Sequence, residues 1–176
     1  MLEEAERKRL EQEAELLTAQ AQDLERFRSD FFGEIRALLE GQDGVRIVGD
    51  RFVFSSEVLF RPGRAELSEQ GRAEITNVAS ILRDIADDIP QGIDWVIRVD
   101  GHTDDVPLSG TGQYRDNWEL SQARSLAVVQ YMIRFLGIAP QRLAANGFGQ
   151  YQPLVEGDSA DARAANRRIE IKLTER

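Results

Sequence analysis

Two hydrophobic periodicities divide this chain near Gly41, and a fold for it must satisfy both. Over residues 1–40, Leu10, Leu17, Leu24, Phe31 and Leu38 recur at strict sevens. Ala14, Ala21 and Ile35 fall four residues after members of that series, while Arg28 interrupts this second track. The segment holds no proline, and its one glycine is Gly33. Such a pattern is the apolar seam of a coiled coil with charged outer faces. The alternative, a single amphipathic helix folded back on a domain, needs a broader stripe. The narrow seam therefore predicts a self-associating helix. It widens near Phe27, Phe31, Phe32 and Ile35, where the helix is expected to begin touching the remainder.

From Gly41 the rhythm changes to period two. Val45–Val48, a Gly49-Asp50 turn and Arg51–Phe54 read as a hairpin. Ser68 and Gly71, followed by Ile75, Val78, Ala79, Leu82 and Ile85 at helical spacing, predict a helix stopped by Pro90. Ile93–Val99 reads as a strand. Asp116 can cap the next helix, with Glu119 as the reciprocal member of a capping box, and Gly137 and Pro140 end it near Leu136. An extended Arg142–Gly147, a short alanine-rich helix near Asp161–Asn166 and a final strand from Arg168 to Leu173 complete the chain. Alternating strands and helices predict an α/β sandwich, with one mixed sheet and helices packed on one face. The expected division is a stalk helix over 1–40 and a globular domain over 41–176.

Composition narrows the function. The chain has 176 residues, 31 acidic against 22 basic side chains, and a net charge of −9, which disfavours a nucleic-acid partner. It has no cysteine and one histidine, His102, so a zinc site lacks its usual ligands. No run of about 18 apolar residues exists to span a bilayer. The N-terminus lacks the apolar core of a secretory signal. The chain also starts inside its helical pattern without a capping residue, as a fragment of a longer protein would.

The chemistry gathers between Val99 and Arg124. Asn117 and Arg124 are seven residues apart on one helix face, with Leu120 and Ser121 between them, and seven residues rise ~10 Å. Asp104 lies in the loop that leaves the preceding strand and can return toward the helix start. A carboxylate and a guanidinium held apart would clamp an amino-acid head group, Asp104 on the ammonium and Arg124 on the carboxylate. An ordinary Asp104–Arg124 salt bridge tying loop to helix uses the same residues, and spacing does not choose between the two.

Four segments occur in a fixed order: Gly101-His102-Thr103-Asp104, Asn117-Trp118-Glu119-Leu120-Ser121-Gln122-Ala123-Arg124, Gly147-Phe148-Gly149 and Asn166-Arg167-Arg168. They resemble the signature of OmpA-like peptidoglycan-binding domains. The Asp105-Val106-Pro107 continuation and Asn-Trp-Glu-Leu-Ser look most like MotB-type members, and the likeness covers about residues 50–175. The resemblance implies the OmpA-like two-layer fold and noncovalent, non-catalytic binding of peptidoglycan through the diaminopimelate of its stem peptide. Asp104 then takes the amine, Arg124 the carboxylate, and Asn117 a hydrogen bond, while Thr103 and Leu120 shape the pocket. His102, Ser121, Arg167 and Arg168 act as support. The lead-in Arg163-Ala164-Ala165-Asn166 departs from the family's frequent Gly-Arg, and no loss of binding is expected from it.

The heptad series predicts a homodimer, and the resemblance further implies a place in the periplasm, tethered to the inner membrane by a preceding transmembrane segment and joined to channel or stator subunits. No cofactor or metal is implied. A structural tether of the outer-membrane or lipoprotein type is the alternative, and a cell-wall enzyme a more remote one.

Other readings of single residues are weaker. A calcium site at Asp100, Asp104 and Asp105 lacks a calcium-loop spacing. A Ser121–His102–Asp triad would put its serine on a helix without a nucleophile elbow. No carboxylate pair is marked out for glycan cleavage. Trp95 and Trp118 could stack sugars, but strand and helix spacing assigns both to the core.

Overall fold

The computed structural model describes residues 2–39, 45–49, 51–89 and 91–176. Gly41, Asp50 and Pro90, and the side chains of Phe31, Phe32, Ile35, Leu38 and Ile85, on which part of the sequence expectations rest, lie outside the described residues.

The chain opens with a single helix, α1 (Leu2–Leu39). Strands β1 (Val45–Val48) and β2 (Arg51–Ser55) form the expected antiparallel hairpin, Val48 opposite Arg51. A one-turn helix, α2 (Ser56–Leu59), follows directly. Then come α3 (Glu69–Ala86), β3 (Trp95–His102), α4 (Asn117–Leu136), β4 (Leu143–Gly147), α5 (Ala160–Asn166) and β5 (Arg168–Glu175). The sheet order is β1-β2-β5-β3-β4; β3 and β4 run parallel and the other pairs antiparallel. This is the mixed sheet backed by helices that the element pattern predicts.

Local chemistry explains the boundaries. The Ser68 hydroxyl accepts from Gly71 N at 2.9 Å and donates to Val58 O at 2.7 Å, starting α3 and pinning it to α2. Asp116 caps α4 by accepting from Glu119 N at 3.0 Å. The reciprocal bond is shifted by one residue: Glu119 accepts from the backbone of Arg115, because the extended Asp116 places that N–H over the first turn. Gly137, in the left-handed conformation, ends α4.

The core lies between sheet and helices. Phe52, Phe54, Ile97, Val99, Ile169 and Ile171 from the sheet meet Ile75, Val78, Val128 and Met132 from α3 and α4. Leu24 and Phe27 of α1 belong to the same core, and Gln20 donates to Gly92 O at 3.3 Å. The helix thus docks several residues earlier than its widening stripe suggests. Leu10 and Leu17, the earlier members of the heptad series, are exposed.

Two glycines set how closely α4 approaches the sheet. A Cβ at Gly101 would lie 2.3 Å from Ser121 O, and one at Gly147 would lie 2.6 Å from Gln122 N. Both glycines belong to the motifs, and their lack of a side chain lets the first turns of α4 rest on the ends of β3 and β4.

Candidate ligand clamp

The site is assembled from the first half of α4, α2 with the turn after it, the loop from β3 to α4, and the α5–β5 junction. Arg124 projects from α4 and is buried. Its Nε donates to Arg64 O at 2.9 Å, and its guanidinium carbon sits 5.1 Å from the centre of the Phe60 ring. Among the described residues, no carboxylate stands within ion-pair distance of it. Burial pulls its pKa down to about 10; Tyr114, Asp104 and Glu57 act in the opposite sense at longer range, and Arg167 adds repulsion. Arg124 is therefore a desolvated cation at neutral pH, backed by an aromatic face and a carbonyl.

Asp104 has a different partner. Its Oδ2 accepts from Arg167 Nη1 at 2.8 Å and its Oδ1 from Val106 N at 3.0 Å. Arg167 also donates to Glu57 Oε1, from both Nε and Nη2. Burial opposes the Arg167 charge, but the bonds to Asp104 and Glu57 prevail and hold its pKa above the ordinary value. The loop-to-helix salt bridge between Asp104 and Arg124 does not form. Both side chains keep capacity for a further partner, since a carboxylate offers about four lone-pair directions.

Asn117 is buried at the start of α4. Its side-chain amide faces Asp104 O (3.3 Å), Val106 O (3.1 Å) and Gln150 Oε1 (3.2 Å), so it organises the loop that carries Asp104. Thr103, buried, donates to Asp104 O at 2.9 Å, and Leu120 is buried on the same helix face. Ser121 bridges two elements: its hydroxyl donates to Trp118 O at 3.1 Å and accepts from Gly149 N at 3.0 Å.

His102 lies off the clamp. Among the described residues neither of its ring nitrogens has a hydrogen-bond partner; its Nε2 lies 3.6 Å from Glu170 Oε2, beyond hydrogen-bond length. Strand alternation turns it onto the sheet face away from α4, where it stacks on Phe148 at 5.1 Å. Arg168 lies on that face too, bonded to Glu170 at 2.8 Å and to the carbonyls of Asn166 and Gln152. Of the two arginines in the closing motif, Arg167 meets Asp104 and Arg168 does not.

The three aspartates considered for calcium are each engaged separately, Asp100 with Arg98, Asp104 with Arg167 and Asp105 with Arg163. Among the described residues, no cluster of three metal-ligating side chains occurs. The assignment of both tryptophans to the core holds for Trp95 and fails for Trp118, which is half exposed and stacks on Tyr151. Asn117, the preceding residue, takes the inward face at the helix start and leaves Trp118 outward. Glu57, Phe60, Arg64 and Gln150 escaped the sequence reading, because they reach the site only through folding.

The model of the OmpA family matches residues 59–167. The chain belongs to the OmpA family. The family is one of peptidoglycan-binding domains of the cell envelope. A MotB-like protein from Desulfovibrio vulgaris superposes with a TM-score of 0.63 at 33% identity, covering 93% of this chain and 98% of that one. The cell wall anchor of the type VI secretion system from Pseudomonas aeruginosa superposes with a TM-score of 0.67 at 26% identity, covering 82% and 96%. Outer membrane protein A of Bordetella avium is 32% identical over 123 residues, 70% of this chain and 57% of that protein. The chain spans about half the length of the first curated relatives it matches. Among the described residues of this OmpA-family chain, no helix is long and apolar enough to cross a membrane.

Proposed function

We propose that this OmpA-family domain holds peptidoglycan by the diaminopimelate of the stem peptide and anchors an envelope complex to the wall. The observation that carries this reading is Arg124: a buried guanidinium without a counter-charge among the described residues, beside a carboxylate already oriented by Arg167. A desolvated cation of this kind is costly when unpaired and gains most from an incoming carboxylate. Arg124 takes the diaminopimelate carboxylate through its planar fork, and Asp104 accepts from the ammonium. Asn117, Thr103 and Leu120 hold the loop and the wall of the pocket, and Arg167 fixes the orientation of Asp104.

Residues 1–40 serve as a stalk for the domain at 41–176. The inner part of α1 rests on the core through Leu24 and Phe27, while the outer part, with Leu10 and Leu17 exposed, pairs with a second copy. The likeness to a MotB-like protein supports attachment to an inner-membrane channel or stator complex. The likeness to an outer membrane protein supports a passive tether as the second reading. A transmembrane helix bearing an aspartate upstream would identify the first, and a lipobox the second.

Co-sedimentation with purified sacculi tests the binding mode. Diaminopimelate-type sacculi are expected to retain the protein. Lysine-type sacculi, which lack the side-chain carboxylate, should retain it far less. Equal retention would remove Arg124 from the role assigned to it.

A further inference from the structure

Beside the clamp lies a pair of aromatic rings that the fold leaves in water. Trp118 is 50% exposed and Tyr151 59% exposed, yet their rings stack at 5.0 Å with 28° between planes. They are held in place. A Cβ built at Gly149 would stand 3.4 Å from both rings, so the backbone of that glycine supports the pair from beneath. The Ser121 hydroxyl binds Trp118 O and Gly149 N together, locking the two supporting segments. Each ring also adjoins a residue of the clamp scaffold in sequence, Trp118 next to Asn117 and Tyr151 next to Gln150. Those two neighbours are hydrogen-bonded to each other at 3.2 Å.

We propose that Trp118 and Tyr151 form a platform for a pyranose ring of the glycan strand, a subsite separate from the stem-peptide clamp. This rests on the clamp reading. A pyranose chair presents a face of C–H bonds, which suits the electron-rich face of an aromatic ring, while its hydroxyls stay in water. Ordered, exposed Trp and Tyr are the side chains that contribute most to recognition when covered.

The spacing selects this occupant. Six residues of α4 separate Trp118 from Arg124, ~9 Å of helix rise. In peptidoglycan, two amino acids and a lactyl ether join diaminopimelate to its sugar. At ~3.5 Å per residue, this linker reaches ~10 Å or somewhat more. The linker thus matches the axial separation of the two residues, and the sugar attached to a clamped diaminopimelate is the occupant proposed for the platform.

Trp118 is the exposed one of the two tryptophans, Trp95 being buried, so its fluorescence reports occupancy of the platform. The experiment titrates the full chain with a disaccharide–tripeptide muropeptide, with the free tripeptide containing diaminopimelate, and with the disaccharide alone. The muropeptide should bind about tenfold more tightly than the tripeptide and shift the Trp118 emission, whereas the tripeptide should leave that emission unchanged. Trp118→Ala and Tyr151→Ala, read by calorimetry, should bring muropeptide affinity down to the tripeptide value and leave tripeptide affinity alone. Trp118→Phe should restore most of the difference.

If the clamp reading is wrong and the platform right, the tripeptide will not bind but the disaccharide will still shift Trp118 emission. The platform is overturned if muropeptide and tripeptide bind equally, or if the alanine variants weaken both to the same extent.

Discussion

Arg167 Nη1 donates to Asp104 Oδ2 at 2.8 Å across 63 residues of sequence, and this bond, rather than one from Arg124, orients the acidic side of the clamp. It connects the α5–β5 junction to the β3–α4 loop, and through Glu57 it reaches α2 as well. The consequence is a division of labour. One arginine is consumed in positioning the carboxylate, and the other remains open toward a ligand.

Removing the positioning arginine should therefore harm binding without touching the cation that receives the ligand. Arg167→Ala is expected to weaken sacculus binding by on the order of 1–2 kcal/mol, the worth of a charged hydrogen bond, because Asp104 loses its fixed direction. Calorimetry with the tripeptide ligand measures this. Unchanged affinity would make the Arg167–Asp104 bond purely structural.

Arg124 separates affinity from stability. Arg124→Lys retains charge but loses the planar fork, and should cost on the order of 2 kcal/mol of binding. Arg124→Met removes a buried cation that has no counter-charge among the described residues. The melting temperature should hold or rise while sacculus binding is lost. A fall of several degrees for Arg124→Met would mean that the guanidinium serves the fold, and would return the residue to a bracing role.

The motif glycines should behave in the opposite manner, with stability and binding lost together. A methyl group at Gly101 or Gly147 meets the backbone of α4 at 2.3 Å and 2.6 Å, so α4 must lift from the sheet. Gly101→Ala and Gly147→Ala are each expected to cost roughly 2 kcal/mol or more, as overpacking does. Thermal melts and sacculus pelleting on the same samples provide the check.

Acid should destabilise the domain through Glu170. Its carboxyl is held well below the usual range: burial opposes ionisation, but the hydrogen bonds and charges of Arg168 and Arg51 outweigh it. A carboxyl depressed in the folded state adds stability that is complete above its unfolded pKa of about 4.3 and is lost as the pH falls below that value. Melting temperature should thus decline below about pH 4, and Glu170→Gln should flatten that decline while lowering stability at neutral pH. An unaltered acid limb in Glu170→Gln would assign acid sensitivity to other groups.

The outer half of α1 predicts assembly. Leu10 and Leu17 are 54% and 59% exposed and neither belongs to the hydrophobic core, so a double change to glutamate spares that core. Light scattering should show a dimer for the unaltered chain and a monomer for Leu10→Glu/Leu17→Glu, with equal melting temperatures at low concentration. A monomeric unaltered chain at high concentration would exclude the pairing. Truncation at Gly41 is a poor test of it, since that removes Leu24 and Phe27 from the core.

Most elements were legible in the residues because local chemistry specifies them. Alternation marked the hairpin and β5. Helical spacing and capping side chains marked α3 and α4, with Gly137 as the stop. The four ordered motifs marked the family, two of them through a glycine that lets α4 approach the sheet. The one-turn α2 was missed because four residues carry no period, and Trp118 was misplaced because helical spacing alone does not show which side of a helix faces the core.

The sequence by itself determined the alternation of strands and helices, the start and end of α4, and the presence of Asp104, Asn117 and Arg124 around one loop and helix. Only the tertiary structure decided how the charges pair. Which of several arginines reaches Asp104 depends on β5 lying beside β3, and Arg124 is left without a counter-charge among the described residues because the segment after α2 supplies it with the Phe60 ring and the Arg64 carbonyl instead. Pairing between distant residues is set by sheet order and by the close approach of α4 over Gly101 and Gly147. A local pattern carries no record of those neighbours, because the energy that selects them exists only once the layers are packed.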